Sequence, residues 1–155
     1  MDATALSKQF AEVKTSTAFF EFIHNLQHWP QTELFEVLFA IASDCRAHPW
    51  PSYAVASDLL VSLDPRCPIT CREALVRLDR AHLEASLRSL PFYLVTQFGK
   101  HHVLQEVEKF IAESGLSEVE CQAASTVRYW SQKPASRLLS DYYARWLPCD
   151  KKTDT

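Results

Sequence analysis

The sequence predicts an all-α protein, about seven helices in a compact bundle or a short stack of antiparallel helix pairs, and three observations predict it. The stretch from Gln31 to Ala47 is apolar around most of a helical circumference: Leu34, Phe35, Val37, Leu38, Phe39, Ile41 and Ala42 leave a narrow polar stripe through Glu33, Glu36 and Ser43. A helix of that kind needs neighbours on several sides, which makes it the expected core helix. Glycine is scarce, with two residues where average usage would give about eleven. Helix punctuation recurs along the chain, at Pro30, Pro49, Pro68, Pro91, Gly115, Pro134 and Pro148.

Each element follows from local signals. Leu6, Phe10 and Val13 form the first apolar pattern, and the Thr15-Ser16-Thr17 cluster favours a break before the next. Phe19, Phe22, Ile23 and Leu26 then share one face up to the stop at Trp29-Pro30. A short turn leads into the core helix, antiparallel to its predecessor. After Pro49-Trp50-Pro51, Ser52 is a candidate N-cap for a helix carrying Tyr53, Val55, Ala56, Leu59, Leu60 and Leu63 and ending before Pro65.

Thr70 with Glu73 three residues later is a capping box. It opens a helix expected to run through Leu75, Leu78, Leu83 and Leu87 to Leu90, with Pro91 as its stop. Residues 92–98 have strand-favouring types but no second strand to pair with, so a short buried helix ending at Gly99 is the better reading. Lys100 to Ser114 is helical and stops at Gly115. Ser117 and Glu120 form a second capping box, opening a helix through Val127 and Trp130. A final helix runs from Pro134 to Pro148, carrying Leu138, Tyr142 and Trp146. Pairing these helices gives a period near 40 residues, which suits a HEAT-like stack, although no sequence pattern repeats between the pairs.

Residues 1–148 are expected to form one all-helical domain, with Cys149 to Thr155 as a flexible polar tail. The opening MDATALSKQF has no apolar run, and the longest such run, Val37 to Ala42, is far below the roughly 18 residues of a membrane span. Five cysteines, an odd number, point to free thiols. A cytosolic location without membrane association is the expectation.

Chemical motifs are sparse. Two glycines cannot build phosphate-cradling loops or a strained nucleophile turn, and no metalloprotease or triad motif is present, so no enzymatic activity is expected. His24 with His28, and Cys45 with His48, have metal-ligand spacings. About 25 Å of chain at 1.5 Å per residue separates His28 from Cys45, so they form no common site, and neither metal nor cofactor is expected. Cys71 lies in a first helical turn, where the helix dipole would lower its thiol pKa.

Binding is what remains. Pro49-Trp50-Pro51-Ser52-Tyr53 holds two aromatics on a stiff loop, and Trp and Tyr dominate interface hot spots. Residues 1–65 carry eight acids and three bases, which would steer a basic partner through Glu33 and Glu36. His101 and His102 stand at a helix start, where positive charge is unfavourable, and so mark a further contact for an acidic partner. The sequence thus suggests a protein-binding adaptor or small inhibitor of immunity or anti-effector type, with Trp50, Tyr53, Glu33, Glu36, His101 and His102 as partner-binding residues. The alternatives are a nucleic-acid-associated subunit using the basic stretch 66–102, or a ligand- or metal-responsive domain. The aromatic last helix could also form a homodimer.

Overall fold

Short polar side chains set where the first helices begin. In the computed structural model, which describes residues 2–117 and 120–147, Asp2 caps α1 (Ala3–Phe10) by accepting the Thr4 N–H at 2.9 Å. Thr15 caps α2 (Ser16–Leu26) by accepting the Ala18 N–H at 3.1 Å, so the break expected at the Thr-Ser-Thr cluster is present. α3 (Gln31–Ala42) stops at Ala42 rather than Ala47. The Asp44 carboxylate accepts the N–H groups of Arg46 and Ala47, each at 3.1 Å, and this local turn replaces a further helical turn.

α4 (Ser52–Leu63) begins directly after Pro51, and Ser52 is its first residue rather than its cap. The Ser52 hydroxyl donates to the Ser7 carbonyl at 2.7 Å, tying α4 to α1. This helix, not α3, is the hub. It packs against α1, α2, α3 and α6 (Ser89–Phe98), and every residue from Ala54 to Leu60 is buried. The small Ala54, Ala56 and Ser57 let neighbours approach from all sides. α3 keeps Glu33, Glu36 and Ala40 in solvent.

α5 (Cys71–Arg80) carries the expected capping box: Thr70 Oγ1 accepts the Glu73 N–H at 3.1 Å and the Glu73 carboxylate accepts the Thr70 N–H at 3.0 Å. The helix ends at Arg80, not at Leu90, because its continuation has distant partners. The His82 carbonyl accepts the Cys45 N–H at 2.8 Å, and the Ala85 carbonyl accepts the Trp130 indole N–H at 2.8 Å. Pro91 terminates nothing; it lies in the first turn of α6, where its missing N–H costs no intrahelical bond. Residues 92–98 are therefore helix.

α7 (Lys100–Ser114) stops at Gly115, whose φ of 69° is a left-handed conformation that suits glycine. Ser117 and Glu120 make the reciprocal contacts of a capping box, and α8 (Gln122–Ser131) follows. The single last helix expected after Pro134 is divided at Leu139 into α9 (Ala135–Leu138) and α10 (Ser140–Trp146). The Arg137 carbonyl is taken there by the Ser140 hydroxyl at 2.9 Å and by the Arg88 guanidinium at 3.3 Å. The described residues thus form ten helices, where about seven were expected. The predicted tail, 149–155, lies outside the described residues.

Hydrogen bonds between elements fix the layout. The Arg66 N–H donates to Gln31 Oε1 at 2.9 Å, so α4 runs back along α3. Ser57 and Ser89 hydroxyls meet at 2.7 Å and Gln97 donates to Asp64 at 2.7 Å, so α6 runs alongside α4 in the same direction. α7 and α8 form an antiparallel pair under α5. α10 returns across the molecule to α2, where the Trp146 ring stacks on Phe19 with centroids 4.1 Å apart. In a HEAT-like stack each pair touches only its neighbours. The return of α10 makes this a compact bundle instead.

Candidate functional site

The site begins with one buried carboxylate. Asp58, in the middle of α4, is 0% exposed. Arg145 from α10 donates to it through Nε at 3.0 Å and through Nη2 at 2.8 and 3.1 Å, and the Trp146 indole N–H donates at 2.7 Å. Burial pushes the Asp58 carboxyl above its ordinary range, against the downward pull of the Arg145 guanidinium and the Trp146 N–H. These bonds fasten α10 to α4. They also fix the Arg145 guanidinium, which lies 5.8 Å from the centre of the Trp50 ring.

Trp50 is 61% exposed, while Trp130 and Trp146 are buried with their indole N–H groups satisfied. Its ring meets Tyr53 edge to face at 5.8 Å. Tyr53 is half-buried, and burial pushes its phenol pKa up. On one side of Trp50 lies a polar cleft of about 50 Å³, shared by Tyr53, Arg88, Ser89, Asp141 and Arg145. On the other lies an open, mainly apolar groove of about 400 Å³. Val13, Pro51, Val55 and Trp146 line it, and Lys14 and Arg145 supply its charge.

The six partner-binding residues expected from sequence do not converge. Trp50 and Tyr53 stand at the start of α4; Glu33 and Glu36 stand in the first half of α3, roughly 14 and 9 Å along the helix from its Ala42 end, the end nearer the start of α4. Glu36 is occupied in a two-pronged pair with Arg77 at 2.7 and 3.3 Å. His101 and His102 are exposed in the first turn of α7, where the His102 ring lies 6.3 Å from Phe98. They sit at the α6–α7 corner, on the Asp64 side, away from Trp50.

The acidic first third is largely consumed within the fold. Asp2 caps α1, Asp44 closes a turn, Asp58 holds Arg145, Asp64 accepts from Gln97, and Glu36 pairs with Arg77. The basic stretch is divided in the same way: Arg72 pairs with Glu113, Arg77 with Glu36, and Arg88 lies over the Trp130 ring at 4.6 Å with Asp141 nearby. No continuous row of unpaired arginines results from these three.

The cysteine expectation is corrected. Cys71 does sit at the start of α5, but it is buried, and burial pushes its thiol up to about 12, overriding the helix dipole. His24 and His28 are both exposed and share the Gln27 amide, which reaches each ring at 3.4 Å. Among the described residues, no three of His, Cys, Asp and Glu are grouped so as to hold a metal ion.

Sequence reasoning missed Asp58, Arg145 and Lys14. The one available signal was the aspartate in AVASDLLV, a run whose other residues, Ser57 apart, are apolar. Compared with protein-family models, with curated proteins and with solved structures, the chain matches none.

Proposed function

We propose that the chain is a non-enzymatic, protein-binding helical domain, an adaptor or a small cytosolic inhibitor of immunity or anti-effector type that masks a larger protein, with Trp50 as its anchor. The observation that carries this reading is Trp50 itself. It is 61% exposed on a fold that buries two other tryptophans, and it stands beside an apolar groove of about 400 Å³. Covering the exposed part of a tryptophan is worth roughly 2–4 kcal/mol before the costs of association. Its pre-set position, between Pro49 and Pro51 and against Tyr53 and Arg145, limits the entropy lost on binding. The cytosolic part of the reading rests on free thiols at Cys45, Cys67, Cys71 and Cys121.

The test is capture of partners from native lysate by the tagged chain and by Trp50→Ala, with and without nuclease. The expected outcome is one stoichiometric protein that survives nuclease and whose affinity falls about thirtyfold in the variant, as for a hot spot of about 2 kcal/mol. The far-ultraviolet circular dichroism and Tm of the variant should match the parent, because the side chain is not in the core. Undiminished capture by Trp50→Ala would remove the anchor. Partners that vanish with nuclease would favour the nucleic-acid reading.

A further inference from the structure

We infer that the groove beside Trp50 receives an acidic, apolar segment of the partner. An aliphatic or aromatic side chain would seat against Val13, Val55 and Trp146, and a neighbouring carboxylate would be held at the rim by Lys14 and Arg145. The inference rests on the docking reading above and gives its partner a chemistry. It reverses the polarity that net charge suggests, since a chain of net charge −3 would be expected to favour a basic partner.

Local charge argues for the reversal. Both charged residues lining the groove are cations, and no carboxylate lines it. Lys14 is exposed and makes no ion pair among the described residues. Arg145 commits Nε and Nη2 to Asp58, which leaves Nη1 as a donor with no acceptor among the described residues. Three bonds to a buried carboxylate already immobilise that guanidinium, so its remaining N–H groups would grip a carboxylate at little entropic cost. Five acids of the first third are meanwhile occupied elsewhere in the fold. The groove is open and mainly apolar, with room for a short segment and not for a whole helix.

The experiment uses the full chain and two capped hexapeptides with the same leucine-phenylalanine-leucine centre, one flanked by aspartates and one by lysines. Binding is followed at the indole N–H resonance of Trp50, identified by its loss in Trp50→Phe. The aspartate peptide should shift that resonance and bind at least about tenfold more tightly than the lysine peptide. Its affinity should drop severalfold between about 50 and about 300 mM salt. Lys14→Glu, on an exposed site, should abolish or invert the preference.

Equal binding of the two peptides, tighter binding of the lysine peptide, no binding of either, or a preference indifferent to Lys14→Glu would each overturn the inference. Decanoate binding at the Trp50 resonance as tightly as the aspartate peptide would overturn it too, by assigning the groove to a small amphiphile. If lysate capture is lost in Trp50→Ala but neither peptide binds, the charge inference fails and the docking reading stands. Capture unaffected by Trp50→Ala removes both.

Discussion

Asp58 and Arg145 are unequal partners, and the inequality can be measured. Asp58 is 0% exposed, whereas the Arg145 side chain is 25% exposed and can recover water if its partner is lost. Removing one member of a buried pair costs about 3–5 kcal/mol when the other is left charged and dry. Arg145→Met strands Asp58 and should fall in that range; Asp58→Asn should cost about 2 kcal/mol, since Arg145 can rehydrate. The pH dependence follows from the direction of the Asp58 shift. Its folded pKa lies above the ordinary 3.8. The folded state therefore holds the proton more tightly, and that contribution is present below 3.8 and lost as pH rises through the folded value. Arg145→Met removes the largest influence lowering that value and extends the window upward. In urea titrations, the deficit of Arg145→Met against the parent should be widest near pH 8 and narrow toward pH 5. A deficit independent of pH would mean that Asp58 is not the stranded charge.

Whole elements were legible where their signals are local. The capping box at Thr70 and Glu73, the stop at Gly115, and the helical reading of residues 92–98 all depend on side chains within a few positions of the backbone they organise. The boundary between α5 and α6 is of another kind. Leu78, Leu83, Leu87 and Leu90 continue an apolar periodicity, yet the carbonyls of His82 and Ala85 are claimed by Cys45 and Trp130 from elsewhere in the chain. No window of local sequence contains those donors. Pro91 added a false stop, because a proline near a helix start and one past a helix end look alike until the helix is placed. Thr70→Ala tests the local kind of signal. It removes the acceptor for the Glu73 N–H and should lower stability by about 1 kcal/mol in thermal or urea unfolding, with no change in the other helices. A loss of helicity well beyond α5 would show that the cap also anchors its neighbours.

At the scale of the molecule, the return of α10 to α2 and α4 decides both the fold and the site. Trp50 was legible as a loop tryptophan from its flanking prolines, but Arg145 reaches it only because Asp58, 87 positions away, fixes the guanidinium. A hub helix carrying a buried acid resembles a surface helix until its distant partner is known, which is why α3 took that role in the sequence. Cys71 offers a test of whether this closure is felt across the bundle. It is 1% exposed, and its thiol is pushed up to about 12 by burial, so alkylation at pH 8 requires opening of α5 from α7 and α8. If the bundle opens as one cooperative unit, Arg145→Met, acting on the α4–α10 clamp, should raise the rate of Cys71 alkylation about a hundredfold or more, matching its loss of about 3–5 kcal/mol in urea. Peptide mass mapping distinguishes Cys71 from the half-buried Cys67. A Cys71 rate unchanged by Arg145→Met would show that α5, α7 and α8 open independently. The corner built on α4 and α10 would then be a separate cooperative unit.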